Sequence, residues 1–377
     1  MTVTTSAEHA EIRMMARELA RRELEPRAAA LDAGEDAALV ECWRLLVELG
    51  LDRALLDEQH GGAGLGVGDL LATIEELAVG DGGIAMCVLL CNAALATLTD
   101  EQLAEVPWGA RWVLVPATPE REVTASGGGL DGRVASALGA HRADGLVVLL
   151  DRPEPVTWAI DPGAAGSRLE RDVSQMGLRA APAASLELAE VDCLRSSGCA
   201  PAPGGSEGPN AAMSAASAQA LLHAGTAAIA HGIARRAYEM ALEYAHDRRQ
   251  GGVAIIEHDA VSDMLSAMAV RLTCWPGIVA DPAGLAIEEA HPEGRTLKDT
   301  GRQALAVKIA ATDAAVASTT DAVQVFGGTG YMVETGIEKL MRDAKYCQLF
   351  PEPNWVAHGE LMRSERAGRT AMRGRLT

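Results

Sequence analysis

The sequence predicts an α+β fold that is mainly α, with a helical region on each side of a short β region. Apolar residues recur at helical spacing in the first and last parts of the chain, and short apolar runs bounded by Gly, Pro and Asp occupy the middle. A chain of 377 residues also exceeds what one core supports, so we expect two or three subdomains. This order excludes a Rossmann fold, and no Gly-x-Gly-x-x-Gly follows a predicted strand.

Residues 1–108 are predicted to form an N-terminal helical domain. Its first helix shows apolar residues at i, i+3, i+4 and i+7, which mark one buried face. These residues are Ile12, Met15, Ala16 and Leu19. Helical pattern continues over 39–49 and 68–98, and a glycine-rich turn from Asp57 to Gly64 separates the two segments.

Residues 109–195 are predicted to form a β domain, either a small antiparallel sheet or a barrel. Short apolar runs separated by turn residues are typical of strands. The runs are 111–115, 145–150, 156–160 and 184–188. Asp131-Gly132 has the composition of a tight hairpin turn, so we expect the chain to reverse there.

A linker at 196–210 and a C-terminal helical bundle at 211–377 complete the prediction. The linker is rich in Pro, Gly and Ser and has no apolar period. Helical pattern resumes near Ala211, with breaks near 276–282 and at Gly327–Gly330.

Charge and cysteine content limit the possible functions. With 33 basic and 52 acidic side chains the net charge is −19, which opposes nucleic-acid binding and requires a local basic pocket for any anionic ligand. The seven cysteines form no Cys-x-x-Cys pair, so neither a disulfide framework nor a metal site is indicated. No signal peptide or membrane span is evident, and we expect a cytoplasmic protein.

Motifs spread over nearly the whole chain resemble the acyl-CoA dehydrogenase family. The last of them is Gln324-Val-Phe-Gly-Gly-Thr-Gly-Tyr-Met, which leads into Glu338–Lys345. The earlier ones are Trp43–Leu51 with the glycine turn after it, Met176–Ala181, and Tyr244–Gly252 followed by 257–269. Each is weak alone, but their order and spacing make the resemblance specific.

The resemblance implies a fold, a cofactor and a reaction. The expected fold is an N-terminal helical domain, a small antiparallel β-barrel and a C-terminal four-helix bundle. The expected cofactor is FAD, and the expected substrate is an acyl-CoA or another acyl-thioester. In such proteins a glutamate removes the α-proton while the β-hydride passes to the flavin. The electrons then leave to an electron-transfer flavoprotein.

The family holds FAD partly through residues of a neighbouring subunit, and this chain keeps those residues except at Gly251, where the family usually has an aromatic ring over the cofactor. The resemblance places Arg248 at the pyrophosphate, with Gln250 as an accompanying polar contact. It places Gln324 at a second motif, whose Gly327 and Gly328 let backbone N–H groups approach an anion. The competing interpretations are that Arg248 only stabilises a helix end and that the glycines only cap a helix.

The family's binding site within the same subunit is largely lost. Ser136-Ala137-Leu138 stands where the family has Trp-Ile-Thr against the flavin ring, and 115–120 lacks the Gly-Ser-Asp of the flavin loop. Pro351 replaces the catalytic glutamate, so both its carboxylate and its backbone N–H are missing.

Two other residues are candidates for the base. Glu352 is one residue out of register, and the competing interpretation is a carboxylate in a surface loop. Some family members place the base at the position of Leu222, and His223 lies beside it, although a histidine on an Ala-rich helix is more often packed than catalytic.

Three hypotheses about function follow from the resemblance. The first is a subunit that completes the FAD site of a homologous partner, since the residues donated to a neighbour are kept and the others are lost. The second is a self-sufficient dehydrogenase, as a homo-oligomer, with Glu352 as base. The third is an oxidase- or monooxygenase-like flavoprotein that needs no such base. The acyl group cannot be named, because cavity shape depends on many side chains.

Overall fold

The computed structural model describes residues 5–117, 123–126, 129–151, 155–172, 174–192, 213–274 and 297–374. Over these residues the order is helical, β, helical, as predicted. The predicted linker at 196–210 and the predicted break at 276–282 lie outside the described residues.

The first helical region contains six α-helices. They are α1 (Thr5–Leu19), α2 (Ala28–Asp32), α3 (Asp36–Glu48), α4 (Val67–Gly80), α5 (Gly82–Leu95) and α6 (Asp100–Ala104). The helical pattern over 68–98 proves to be two helices, because Asp81 is extended and its carboxylate accepts the Ile84 N–H at 2.9 Å. Every residue of α5 is buried, so this helix lies in the centre of the core.

The middle region forms two sheets. Its strands are β1 (Trp112–Ala117), β2 (Val123–Ser126), β3 (Gly129–Ala137), β4 (Gly145–Asp151), β5 (Pro155–Ile160), β6 (Ser167–Arg171) and β7 (Ala184–Asp192). One sheet has the order β1-β4-β5 and the other β2-β3-β7-β6. All four predicted strands are present, and the structure adds β2, β3 and β6.

The sheet pairing corrects two details of the prediction. Among the described strands no closed barrel forms, and β1 pairs with β4 in parallel. A parallel pair needs a crossover, and here the chain passes through β2 and β3 of the second sheet between them. Asp131-Gly132 is not a turn but lies within β3, where the pairing with β7 shifts and Gly132 has φ +137°. Glycine tolerates that conformation, so the pair forms a bulge.

The C-terminal region is a helical bundle joined by a small hairpin. Its helices are α7 (Ala215–Asp247), α8 (Asp259–Thr273), α9 (Leu297–Phe326), α10 (Ile337–Cys347) and α11 (Asn354–Gly374). The hairpin strands are β8 (Arg249–Gln250) and β9 (Val253–Ala254), and 3-10 turns at Gly327–Tyr331 and Val333–Thr335 follow α9. No helix in the described ranges is long and apolar enough to cross a membrane.

Helix α7 joins the two helical regions, because it packs against α4 and α5 as well as α8, α9 and α10. Two glycines permit the close approach. A Cβ on Gly225 would lie 2.3 Å from Leu89, and one on Gly232 would lie 2.3 Å from the Glu75 carbonyl oxygen. The central part of α7, which includes His223, is buried as a result.

Candidate functional site

A buried ionic cluster fixes α10 against the other two regions. The Lys339 ammonium lies 2.6 Å from the Asp343 carboxylate and 2.9 Å from that of Asp81, and Asp343 also accepts the Leu178 N–H at 2.6 Å. Burial alone would lower the pKa of Lys339, but the two carboxylates raise it, so the lysine stays protonated. Burial raises the pKa of Asp343 and Lys339 opposes that rise.

A second cluster at the same junction contains Arg342. Its guanidinium donates to both carboxylate oxygens of Asp32, at 3.0 and 2.7 Å, and to the Met176 carbonyl at 2.8 Å. Burial would raise the pKa of Asp32, but the bonds from Arg342 lower it below its usual value. Helix α10, which carries Glu338–Lys345, therefore contacts both the N-terminal helices and the β region through these ionic clusters.

The two motifs that the resemblance assigns to FAD meet at one end of the bundle. Tyr244, near the end of α7, stacks on Phe326, the last residue of α9, with ring centroids 4.2 Å apart and an interplanar angle of 12°. The Tyr244 hydroxyl also lies 3.3 Å from the Thr329 hydroxyl. These contacts bring the segment around Arg248 and the glycine turn after α9 together.

The five predicted cofactor residues are all exposed at this end. Arg248 and Gln250 lie after α7, while Gln324, Gly327 and Gly328 lie at the end of α9 and in the turn after it. Gly327 has φ +60°, and a Cβ on either glycine would meet no atom within 4 Å. Gly251 and Gly252, beside Gln250, also have positive φ values of +63° and +91°.

This end of the bundle fits one half of FAD. Exposed glycine backbone lets N–H groups approach an anion, and the Arg248 guanidinium suits phosphate oxygens. Within the described part of the chain no other group hydrogen-bonds or pairs with that guanidinium, so it is available for a ligand. Arg248 ends α7 in extended geometry and therefore projects beyond the helical backbone.

The β region offers little to the other half of FAD. Ser136 and Ala137 end β3, and Leu138 follows. Ala137 and Leu138 are buried in the apolar core, so neither supplies a ring or a hydrogen-bond donor for a flavin. Of the segment 115–120, where the family has its flavin loop, residues 118–120 lie outside the described residues.

Glu352 is not a surface carboxylate, which corrects the competing interpretation above. It is 5% exposed, and its two carboxylate oxygens lie 3.1 and 3.2 Å from Nε2 of His223, which is 3% exposed. The segment around Glu352 turns inward because Phe350 is buried and inserts into the core. The structure thus brings together two candidates that are 129 positions apart in the sequence.

Lys308 holds the loop that carries Glu352. It is fully buried on α9, and its ammonium donates to the Glu352 carbonyl at 2.6 Å and to Asn354 Oδ1 at 2.7 Å. Burial lowers the pKa of Lys308, and the nearby charge of Glu352 opposes that effect. Sequence reasoning missed this residue, since its only sequence signal is one lysine within an apolar helical pattern.

Comparison with known proteins points to one family. The family model described as "Acyl-CoA dehydrogenase, N-terminal domain" matches residues 6–105, and the model described as "Acyl-CoA dehydrogenase, C-terminal domain" matches residues 207–351. An acyl-CoA dehydrogenase of Bacillus subtilis is 39% identical over 35% of this chain and 33% of its own length. The chain therefore matches about a third of the length of such relatives. A cyclohex-1-ene-1-carbonyl-CoA dehydrogenase of Geobacter metallireducens is 28% identical over 91% of this chain and 93% of its own length.

Solved structures share the fold. Butyryl-CoA dehydrogenase from Megasphaera elsdenii has a TM-score of 0.78 at 22% identity, covering 97% of this chain and 99% of its own. A structure described as the Tcur3481-Tcur3483 steroid ACAD also has a TM-score of 0.78 at 22% identity, covering 97% of this chain and 100% of its own. A structure described as the electron transferring flavoprotein of Acidaminococcus fermentans has a TM-score of 0.78 at 23% identity, covering 97% of this chain and 99% of its own.

Proposed function

Since the chain belongs to the acyl-CoA dehydrogenase family, we propose that it serves α,β-dehydrogenation of an acyl-thioester as a subunit that completes a homologous partner's FAD site. One observation carries the proposal. The residues kept for a neighbour's cofactor are exposed together at one end of the bundle, while two of the three positions that would hold the chain's own flavin ring, Ala137 and Leu138, are apolar and buried.

The chain's own residues would bind and orient the cofactor. Arg248 would neutralise the pyrophosphate through paired N–H donors, and Gln250 and Gln324 would add polar contacts. Gly327 and Gly328 would let backbone N–H groups reach the cofactor, because a side chain there would stand in the way. FAD would supply the hydride acceptor, and at that site the homologous partner would supply the contacts to the flavin ring and its own base. We propose an electron-transferring flavoprotein as electron acceptor and acyl-CoA as substrate.

Co-expression with any homologous acyl-CoA dehydrogenase chain that is encoded nearby tests the proposal. We expect the two chains to co-purify and to hold FAD, with one cofactor for each pair of chains. The chain expressed alone should bind little flavin. A yellow homo-oligomer carrying FAD in every chain would contradict the partner role.

The position of Glu352 favours a second candidate, a self-sufficient dehydrogenase with a displaced base. Burial together with a titratable neighbour is typical of residues in functional sites, and Glu352 has both. In that case the chain alone should dehydrogenate acyl-CoA, and Glu352→Gln should abolish the activity. Unchanged turnover in this variant would rule out Glu352 as the base.

A further inference from the structure

Both places where the family keeps its base are altered here in the same way. Pro351 and Leu222 occupy the two positions, and each is followed by a titratable residue, Glu352 or His223. In the structure these two residues contact each other through Nε2 of His223 and the carboxylate of Glu352, at 3.1 and 3.2 Å. Two titratable residues, each next to one of these positions, thus meet in the structure.

The other nitrogen of His223 has no hydrogen-bond partner. Nδ1 is fully buried, and no group in the ranges that the structure describes hydrogen-bonds it. Leaving a buried polar atom unsatisfied costs about 1–3 kcal/mol, so such a nitrogen in a titratable ring requires an explanation, which a bound water, a ligand or a chemical role would supply.

Anchoring of the loop does not explain the pair either. Lys308 already holds the backbone of Glu352 and the side chain of Asn354 by bonds of 2.6 and 2.7 Å. Lys308 therefore fixes the backbone of the loop to α9, and the contact with His223 involves only the Glu352 side chain. What the contact with His223 adds is the orientation of an imidazole by a carboxylate.

We propose that His223 Nδ1 is a proton acceptor for the α-carbon of an acyl-thioester and that Glu352 is its positioning residue. The substrate class rests on the proposed function; the proton transfer itself requires no flavin. Glu352 accepts the Nε2–H of the neutral imidazole and so leaves the lone pair on Nδ1.

The step balances without an oxidant. The α C–H bond breaks, the proton passes to Nδ1, and the electron pair remains on the thioester as an enolate. Glu352 stabilises the resulting imidazolium through Nε2. Return of a proton to the α-carbon restores the substrate, and in deuterated water the returning ion is a deuteron.

Deuterium uptake tests the assignment directly. The full chain, alone and in complex with a partner whose own catalytic glutamate is replaced by glutamine, is incubated with butyryl-CoA or octanoyl-CoA in deuterated water, and mass spectrometry follows the label. His223→Gln should slow uptake at least about 100-fold, because its amide still donates to Glu352 but accepts no proton. Glu352→Gln should slow uptake by only about tenfold, because its amide oxygen still accepts from Nε2.

Two controls separate catalysis from folding. His246→Ala changes an exposed histidine on the same helix and should leave uptake unchanged. His223→Ala should recover part of its uptake when imidazole is added, a response that a purely structural histidine would not give.

The possible outcomes separate this proposal from the partner role. Absence of uptake by the unsubstituted protein overturns the proposal, and so does a loss in Glu352→Gln that equals or exceeds the loss in His223→Gln. A complex that loads FAD but exchanges no α-proton overturns only the role of His223. Exchange by a chain that binds no partner overturns only the role as a partner subunit.

Discussion

Lys339 neutralises two buried carboxylates at the junction of all three regions, and its replacement by methionine should destabilise the protein strongly. Lys339 is 7% exposed, and Asp81 and Asp343 are 2% and 0% exposed. Asp81 also caps α5, and Asp343 also holds the Leu178 N–H of the β region. Lys339→Met leaves these carboxylates in place and removes their only cation among the described contacts.

The expected loss is about 3–5 kcal/mol, the range for removing one member of a buried ion pair. Methionine fills most of the space of the lysine stem, so a cavity adds little to this cost. What remains is an uncompensated charge. The upper part of the range applies here because a single ammonium is paired with two carboxylates, at 2.9 and 2.6 Å.

The loss of stability caused by Lys339→Met should depend on pH. Burial already raises the pKa of Asp343, and removing Lys339 raises it further. A carboxyl whose pKa is higher in the folded protein than in the unfolded chain contributes stability at low pH and loses it as pH rises through the folded value. Lys339→Met should therefore be most destabilised near pH 8 and recover part of its stability at about pH 5.

Urea unfolding followed by circular dichroism at both pH values measures the effect. Lys345→Met is the matched control, since Lys345 lies on the same helix, is exposed and contacts only Gln348 at 2.7 Å among the described residues. Adding Asp343→Asn to Lys339→Met should restore part of the loss, because it removes one of two like charges. The reasoning is refuted if Lys339→Met and Lys345→Met are equally stable at pH 8.

Three further substitutions test the predicted cofactor residues at the end of the bundle and the ionic cluster of Arg342 at the junction of the three regions. Gly328→Ala should lower the FAD content of the partner complex at least about tenfold without changing its melting temperature, whereas Gly301→Ala, where a Cβ also meets nothing within 4 Å, should change neither. Phe326→Leu should lower FAD content and cost about 0.5–1.5 kcal/mol in urea unfolding, because the stacked ring pair is lost. Arg342→Lys should destabilise the protein by about 1.5–3 kcal/mol, since an ammonium cannot replace its paired bonds to Asp32, and calorimetry would show no change if those bonds were unimportant.

Periodicity predicted the elements well, because helices and strands carry their period within a short stretch of chain. It did not show the break at Asp81. Helix α5 is buried at every residue, so it has no polar face, and its pattern merged with that of α4. The signal that was available was the aspartate itself, whose carboxylate caps α5.

Long-range pairing was beyond the reach of local patterns. Asp131-Gly132 has the composition of a turn, yet pairing of β3 with β2 and β7 holds it inside a strand. The parallel pairing of β1 with β4 likewise depends on where β2 and β3 lie. A dipeptide preference is small beside the bonds of two neighbouring strands, so the tertiary structure decided the outcome.

The candidate site likewise contains residues that the sequence predicted and residues that only the fold brings together. The resemblance predicted Arg248 and Gly328, whose exposure follows from their places at helix ends. The inward position of Glu352 depends on Lys308 and His223, which are 44 and 129 positions away in the sequence. General preference places a lone loop carboxylate at the surface, and only the fold supplies the partners that overcome that preference.

The contribution of the His223–Glu352 pair to stability provides a further test of its role in proton transfer. A buried polar pair is often less stabilising than apolar residues of similar size, by about 1–4 kcal/mol. His223→Leu combined with Glu352→Met should therefore be more stable than either single change, because each single change removes the contact between the remaining buried polar group and the other member of the pair. The double variant should still load a partner's FAD, because Arg248 and Gly328 are untouched, yet it should exchange no α-proton. Urea unfolding, flavin absorbance and deuterium uptake measure these three properties on the same samples. If the double variant is less stable than either single variant, the pair is retained for stability, and the proton chemistry assigned to it loses its support.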